Sequence, residues 1–293
     1  MENCFSVDVE DYFHCEAFAR RIDPDQWPSR ELRVERNANR LLQFFDERHC
    51  QITWFVLGWV AERCPQLVKA IASAGHEIAS HGHNHRHLKQ MTPKTLAQDV
   101  RHSIRLLEDL TGTPVAGYRA PTFSITRSTA WAIDVLRNAG LSYDSSIYPV
   151  RHDRYGVPGA PMEPFDPSSE GDGTLVEFPP LVGRRFGMNL PMGGGGSLRL
   201  LPINWMSQAI SQANRTGRPA MIYVHPWEID PDQPRLPCGP ITRIRHYRNL
   251  DKTLDRLGFL FDQHTFTTAK RLLESYRNSP SLQRWPLRSN EDL

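Results

Sequence analysis

A run of histidines is the feature of this chain that is most suited to chemistry. His81, His83, His85 and His87 alternate with other residues within the short segment 80–87. Neutral imidazole nitrogens are ligands that zinc and similar transition metals accept. Histidines at i and i+4 can share an ion, and the run contains two such pairs, His81 with His85 and His83 with His87. The run therefore predicts a metal site; the alternative is a solvated polar loop.

Three acidic residues at the end of a predicted strand could complete such a site. The predicted strand covers residues 5–9; Asp8 lies near its end, and Glu10 and Asp11 follow it. Because side chains alternate along a strand, Asp8 and Glu10 share one face and Asp11 lies on the other. One carboxylate could bind the metal and another could take a proton from the activated water, since zinc held by two histidines and one carboxylate keeps a position for water. The alternative is an acidic cluster that caps a helix.

Two further residues at strand ends could take part in the same chemistry. Arg119 ends the predicted strand 115–119, and an arginine there could hold a carboxylate base ionised and oriented through charge-assisted hydrogen bonds. His225 follows an apolar strand and could donate a proton to a leaving amine or alcohol. The alternatives are a surface arginine and a structural histidine.

Short apolar stretches alternate with segments of helical periodicity. Predicted strands are residues 5–9, 52–57, 76–80, 115–119 and 219–224, and predicted helices are residues 31–48, 65–74, 92–110 and 126–139. This order indicates an α/β protein with a parallel sheet covered by helices, either open or closed into a barrel. In such folds chemistry gathers at the carboxyl ends of strands, which is where the acidic cluster, the histidine run, Arg119 and His225 all fall.

Residues 146–218 interrupt the alternation and are rich in proline and glycine. We predict a long excursion with a short strand at 175–178 and a helix at 204–214, of the kind that shapes a binding groove. The run Gly193–Gly196 lacks the Lys-Ser/Thr ending of a phosphate loop, so we expect a flexible turn or a close backbone approach. We expect one domain over residues 1–277 and a poorly ordered tail at 278–293.

The composition limits the partners that the chain can have. Its 293 residues include 35 Lys and Arg against 33 Asp and Glu, so the charge favours neither nucleic acid nor a membrane surface. The mean hydropathy is -0.50, and the longest apolar run, 52–61, is about half of the ~20 residues that span a bilayer. With no signal segment after Met1, we expect a cytoplasmic protein without a transmembrane segment. The five scattered cysteines are typical of reduced thiols.

The order of these motifs resembles that of the polysaccharide deacetylases, the NodB-homology or carbohydrate esterase 4 group. The resemblance covers residues 5–226: an acidic strand end, His-x-x-x-His, Arg-x-Pro, and a histidine after an apolar strand. Segments 77–81 and 117–121 carry it most closely. Segments 225–228 and 243–247 are similar to a bacterial subgroup associated with exosortase (PEP-CTERM) exopolysaccharide loci.

The resemblance implies a distorted, incomplete TIM-like (β/α) barrel of the NodB-homology type. It implies a metal-dependent hydrolase that removes acetyl groups, foremost N-acetyl, from a bacterial polysaccharide or its precursor. One divalent ion is the implied cofactor, with Zn²⁺ favoured, although cobalt, nickel or iron would fit the same ligands. The implied partner is an N-acetylated glycan, and the oligomeric state stays open.

Carried over residue by residue, the resemblance makes Asp8 the catalytic base and His225 the general acid. His81 and His85 would bind the metal, and Arg119 would orient the base.

Two further positions would line the substrate site. A backbone N–H near Thr122 would help to form an oxyanion hole, and Trp227 could wall the sugar site or be an ordinary core aromatic.

The first motif departs from the commonest family pattern of two adjacent aspartates. It reads Asp8-Val9-Glu10-Asp11, which leaves the third metal ligand open between Glu10 and Asp11. We favour Glu10, because it shares a face with Asp8. The family's later aspartate, which supports the acid histidine, has no match in this chain.

Three other functions are compatible with the sequence. A hydrolase of a small cyclic amide or ureide could use the same barrel, and a substrate panel would separate it from a deacetylase. A non-catalytic carbohydrate-binding protein would bind glycan without metal-dependent product. A metal-stabilised scaffold for a protein partner would lose thermal stability, and no activity, when its metal is removed.

Overall fold

A curled β-sheet covered by helices forms the framework of the protein. The computed structural model describes residues 1–19, 21–152, 154–169, 174–185, 187–277 and 282–288. Its strands are β1 (Glu2–Val9), β2 (Thr53–Val56), β3 (Glu77–Ser80), β4 (Gly117–Tyr118), β5 (Tyr143–Asp144), β6 (Phe165–Asp166), β7 (Val176–Glu177), β8 (Val182–Arg185), β9 (Met188–Pro191), β10 (Met221–Val224), β11 (Thr265–Thr267) and β12 (Gln283–Arg284).

The helices lie mostly between successive strands. They are α1 (Val34–Asp46), α2 (Gly58–Arg63), α3 (Pro65–Ser73), α4 (Pro93–Thr111), α5 (Ala132–Asn138), α6 (Gly195–Leu200), α7 (Ile203–Arg215), α8 (Pro240–Tyr247), α9 (Thr253–Gln263) and α10 (Ala269–Arg277). Short 3-10 turns add Glu16–Phe18, Pro24–Ser29, Leu88–Gln90, Pro121–Phe123, Arg127–Thr129, Pro226–Ile229 and Leu250–Lys252. Among the described residues, no helix combines the length and apolar character needed to span a bilayer.

The main sheet is almost entirely parallel. Its strand order is β10-β1-β2-β3-β4-β5-β7-β6-β12, with β11 added to β1, and only β6 and β7 pair antiparallel. In the described part of the chain no ladder joins β10 to β12, so the sheet curls without closing. This half-barrel confirms the expected α/β fold and incomplete barrel.

Strand β1 runs through the middle of the sheet and is buried on both faces. Residues 6–9 pair with β2 and residues 4–7 pair with β10, both in parallel. A strand enclosed in this way is usually apolar throughout, so its polar members call for an explanation. Ser6 and Asp8 are two of them, and both accept a hydrogen bond from the Arg119 guanidinium.

The helix signals in the sequence hold where the pattern is long. Thr92 caps α4 through its hydroxyl, and Gly112 ends that helix with φ 67°. Two predicted elements were longer than the observed ones. Residues 115–119 contribute only the two-residue strand β4, and residues 126–139 divide into a 3-10 turn and α5. Helix α2 was missed, because its residues continue the apolar run of β2.

The excursion and the tail both contribute to the fold. Residues 146–218 contain β6 and β7, which join the main sheet, the separate hairpin β8–β9, and helices α6 and α7. Part of the expected disordered tail is packed: β12 pairs with β6, and Leu287 is buried. Residues 278–281 and 289–293 of that tail lie outside the described residues.

Candidate active site

The predicted site residues meet at the carboxyl ends of the strands. Asp8 is the penultimate residue of β1 and Glu10 follows that strand. His81, Arg119 and His225 come directly after β3, β4 and β10. Since these strands are neighbours in a parallel sheet, their ends open on one edge, and the side chains converge there.

Glu10, His81 and His85 form a cluster of metal-type donor atoms. The Nε2 atoms of His81 and His85 lie 2.9 Å and 3.0 Å from the same Glu10 oxygen, Oε1. One donor atom from each residue lies within 4.8 Å of the other two. Asp11 is not part of this cluster: its carboxylate accepts the backbone N–H groups of Arg33 and Val34 and caps the start of α1. Of the two acids left open by the sequence, the structure therefore brings Glu10 to the histidines.

The hydrogen bonding of His81 shows that this cluster suits a cation. Its Nδ1 lies 2.8 Å from the carbonyl oxygen of Arg119, which can only accept, so Nδ1 carries the proton. In the neutral ring, Nε2 then points a lone pair at the Glu10 carboxylate 2.9 Å away. Two electron-rich atoms at this distance repel unless a positive charge lies between them. Two imidazole nitrogens and one carboxylate fit a divalent transition metal, and the Arg119 carbonyl that accepts from His81 Nδ1 fixes the orientation of one ring.

The electrostatics of the cluster also favour positive charge. Burial raises the pKa of Glu10, but the neighbouring His85 and His225 hold it well below its usual range. Burial likewise lowers the pKa of His85, yet the Glu10 carboxylate raises it overall. The carboxylate is therefore ionised and attracts a cation into a buried position.

Asp8 is held by Arg119 on one side only. The guanidinium donates to Asp8 Oδ1 at 2.5 Å, to the Ser6 hydroxyl at 2.9 Å and to the Ser145 hydroxyl at 2.9 Å. Arg119 is fully buried and its guanidinium lies 4.0 Å from the centre of the Phe55 ring. The other Asp8 oxygen, Oδ2, faces His225 Nε2 at 3.9 Å. The arginine thus fixes the carboxylate and leaves Oδ2 directed into the site.

His225 is supported by an acid that the sequence did not single out. Its Nδ1 donates to Glu228 Oε2 at 3.0 Å, and Glu228 Oε1 accepts from Arg199 Nε at 2.9 Å. Burial lowers the pKa of His225, but Glu10 and Glu228 raise it to about 9. Burial raises the pKa of Glu228, whereas Arg199 and His225 lower it to about 2. These carboxylates favour the protonated form of His225, and its Nε2 lies 3.9 Å from Asp8 Oδ2 and 3.8 Å from Glu10 Oε1.

The glycine run makes room for this support. A Cβ atom on Gly195 would overlap the Glu228 carboxylate, and one on Gly194 would overlap the Tyr223 hydroxyl. A Cβ on Gly196 would meet no heavy atom within 4 Å. Close backbone approach, one of the two expected roles of the run, is therefore what the structure shows at these two glycines.

The structure places Trp227 among buried rings, as the alternative of a core aromatic predicts, and Thr122 in a strained turn. The Trp227 ring is 5% exposed and stacks between the imidazoles of His225 and His246, at 5.3 Å and 4.2 Å between ring centres. It backs His225 and offers little surface to a sugar. Thr122 lies in the turn after Arg119 with φ 59°, an outlying conformation for a β-branched residue. Such strained backbone is found at functional sites.

His14 also belongs to the surroundings of the site, although the sequence reasoning missed it. Its Nδ1 accepts the backbone N–H of Asp11 at 2.9 Å, so Nε2 carries the proton of the neutral ring. Burial holds its pKa well below the usual range. The ring packs between Trp27 and Trp59 and lies 6.2 Å from the His85 ring. The only signal in the sequence was its position three residues after Asp11.

Comparison with known proteins agrees with this geometry. Residues 25–143 match the family model described as polysaccharide deacetylase, and residues 145–274 match a domain of unknown function (DUF3473). Part of the chain, residues 25–143, is thus similar to the polysaccharide deacetylases. The resemblance inferred from the motifs is thus confirmed at the level of the family, while the exosortase-associated subgroup stays a prediction.

Two curated relatives of the deacetylase domain cover only part of the chain. A peptidoglycan deacetylase from Helicobacter pylori is 35% identical over 108 residues, which is 37% of this chain and 36% of the relative. A peptidoglycan deacetylase-like protein from Gibberella zeae is 36% identical over 112 residues, 38% of this chain and 32% of the relative. The chain thus matches about a third of the length of these relatives.

Solved structures extend the fold similarity to nearly the whole chain. A protein from Mycobacterium smegmatis, provisionally assigned as a polysaccharide deacetylase, is 20% identical with a TM-score of 0.65, over 98% of this chain and 93% of that one. A carbohydrate esterase 4 pseudoenzyme from Bacillus anthracis is 11% identical with a TM-score of 0.50, over 93% of this chain and 65% of that one. Since the same fold occurs in a pseudoenzyme, activity must be argued from the site residues.

Proposed function

We propose that this protein is a metal-dependent hydrolase that removes acetyl groups, foremost N-acetyl groups, from a glycan. The observation that carries the proposal is the convergence of two histidines and Glu10 on one point, with Asp8 and His225 beside it. The deacetylase domain and the two peptidoglycan deacetylase relatives support an N-acetylated glycan as the substrate class. The finer expectation of a bacterial exopolysaccharide or its precursor is part of this proposal.

Glu10, His81 and His85 would hold one divalent ion, and zinc is the metal that this donor set favours. Such an ion supplies Lewis-acid chemistry, which polarises an acyl oxygen and makes water easier to deprotonate. Among the described residues, these three are the buried set with metal-ligand geometry.

The protein's own groups would move the protons. Asp8 Oδ2 would accept the proton of the attacking water, because Arg119 occupies Oδ1 and keeps the carboxylate in place. His225 would give its Nε2 proton to the departing sugar nitrogen, while Glu228 holds Nδ1 and with it the orientation of the ring. A backbone N–H in the strained turn at Thr122 would donate to the developing oxyanion.

Two substitutions test the assignment of metal and base. We expect His81→Ala to lose the ion and the activity together, because one of three ligands is removed. Asp8→Asn keeps the shape of the side chain and the three ligands, so we expect it to retain the ion and to lose activity by about 10²- to 10⁴-fold. Metal content after gel filtration and acetate release would be measured on the same samples. An Asp8→Asn enzyme with a full metal content and the wild-type rate would falsify the base assignment.

A further inference from the structure

A second cluster of metal-type ligands lies outside the candidate active site. Glu62 is on α2, His102 is on α4, and His83 is in the loop between the candidate ligands His81 and His85. One donor atom from each lies within 4.8 Å of the other two. The Nε2 atoms of His83 and His102 approach the same Glu62 oxygen, Oε1, at 3.6 Å and 3.4 Å. This repeats the arrangement around Glu10, with slightly longer distances.

The central ligand of this cluster, His83, is already fixed in position. Its backbone N–H donates to Asp99 Oδ2 at 2.7 Å, and its carbonyl accepts from the backbone N–H of Trp59 at 3.0 Å. Its imidazole packs so closely on Gly58 that a Cβ atom there would overlap Nδ1. The side chain is only 11% exposed. Binding an ion would therefore order the side chains of Glu62 and His102 and leave the loop as it is.

The surroundings leave both charge and space for an ion. The Asp99 carboxylate lies beside His83, while Arg63 contacts the other Glu62 oxygen, Oε2, at 3.7 Å and stacks on the Trp59 ring. The Glu62 oxygen that faces the histidines is thus not the one that Arg63 contacts. A cavity of about 260 Å³ borders His83, Asp99 and His102 and can hold water ligands.

We propose that Glu62, His83 and His102 form a second divalent-metal site on the surface of the protein. Two imidazoles and one carboxylate suit zinc, cobalt, nickel or copper, with water completing the coordination. Because Glu62 and His102 are 42% and 55% exposed, this site binds its ion more weakly than the buried one. An ion here ties α2 and α4 to the loop that carries His81 and His85. The proposal stands whether or not the protein is a deacetylase.

The number of ions that each variant binds tests the proposal. Metal-free protein would be titrated with Zn²⁺ by calorimetry, with the ions retained after gel filtration counted separately. We expect two binding events for the wild-type chain and one for the double variant Glu62→Gln/His102→Asn, in which the weaker event is lost. His49→Asn is the matched control: it removes an exposed histidine elsewhere, at a φ of 49° that asparagine tolerates, and should keep both events.

A third variant separates this proposal from the assignment of the active site. His81→Ala should lose the tighter event and keep the weaker one. A wild-type chain that binds a single ion, or a weaker event that survives in the double variant, would overturn the surface site. Loss of the weaker event in the double variant, with both events kept in His81→Ala, would support the surface site and count against the buried one. Glu62 and His102 are exposed, so circular dichroism is expected to show the double variant folded.

Discussion

The buried charges of the site are arranged as opposed pairs. Asp8 is matched with Arg119, Glu10 with the imidazoles of His81 and His85, and Glu228 with His225 on one side and Arg199 on the other. A buried charge without a partner is costly, so removing one member of a pair disturbs the other. The proposed acid His225 therefore depends on Glu228 and Arg199, which are both buried.

Replacing Glu228 by glutamine tests how His225 is supported. The carboxylate raises the pKa of His225, so its loss lowers that pKa. A general acid acts only while protonated, and its activity falls as pH rises through its pKa. We expect Glu228→Gln to lower kcat by about 10- to 100-fold and to move the alkaline limb of the kcat/KM profile to lower pH. An alkaline limb at the wild-type position would contradict the role of Glu228.

Among the elements, the short helix α6 and the turn after β10 must pack closely. Gly195 starts α6 against the Glu228 carboxylate, and Arg199 of the same helix donates to that carboxylate. Arg199 also donates to the backbone carbonyls of Arg245, His246 and Arg248 around the end of α8. One helical turn thus links residues 146–218, the support of His225 and the C-terminal helices.

Two neighbouring glycines give a matched test of this contact. Gly195→Ala should displace Glu228, because its Cβ would overlap the carboxylate, and we expect a loss of activity of about tenfold or more. Gly196→Ala adds the same methyl group in open space and should keep the wild-type rate. Both rates would be measured as acetate release by folded, metal-loaded protein. Equal rates for the two variants would show that the contact does not matter.

A pair of buried acids joins β5 to β7. Asp144 and Glu177 are paired in register, share a hydrogen bond and are both fully buried. Burial raises the pKa of Asp144 to about 6 and the pKa of Glu177 well above its usual value. The pair therefore retains one proton that the unfolded chain releases near pH 4. The stability contributed by that proton is complete below about pH 4 and declines as pH rises through the folded pKa values.

Glu177→Gln should remove this pH dependence. Glutamine keeps the oxygen that accepts the backbone N–H of Ile147, and its amide can donate to Asp144 without a bound proton. We expect the variant to be about 1 to 3 kcal/mol more stable than the wild type at pH 8 and nearly equal to it at pH 4. Urea unfolding at the two pH values measures this. A variant less stable than the wild type at pH 8 would refute the shared proton.

The position of the candidate site could be predicted from the sequence because its motifs lie at the carboxyl ends of neighbouring parallel strands. Periodicity located β1, β2 and α4, and the strand order then brought Asp8, His81 and Arg119 together. The buried ion pair of Arg199 with Glu228 could not be predicted in this way. Its members are 29 positions apart, one in a helix and one in a turn, and no local pattern connects them. The spacing of Glu228 three residues after His225 was the only signal, and it is common at the start of helices.

Glu10, rather than Asp11, meets the two histidines for a reason that the sequence did not give. Strand alternation was the argument, but β1 ends at Val9, and the Glu10 N–H bonds back to the Asp8 carbonyl. What decides the matter is α1: its first N–H groups need an acceptor, and Asp11 provides it. The alternative of a helix cap was therefore right for one of the three acids.

The whole molecule is needed to build the site. The residues of the site come from three parts of the chain. The segment before the polysaccharide deacetylase match contributes Asp8 and Glu10, and the match itself contributes His81, His85 and Arg119. The region of unknown function contributes Arg199, His225 and Glu228. Strand β1 pairs with β2 from the first region and with β10 and β11 from the second. The region of unknown function thus supplies His225 and Glu228 to the candidate site and two partners to the central strand.

Acetate release by metal-stripped and metal-restored enzyme tests the central claim most directly. N-acetylated oligosaccharides from chitin and peptidoglycan would be incubated with protein freed of metal by a chelator, and then with the same protein after Zn²⁺ or Co²⁺ is returned. The account predicts no acetate from the stripped enzyme and acetate from the restored enzyme. His81→Ala should release no acetate, whether or not metal is returned. Acetate release that survives complete metal removal, or a restored enzyme that holds its buried ion and releases no acetate from either glycan, would contradict it.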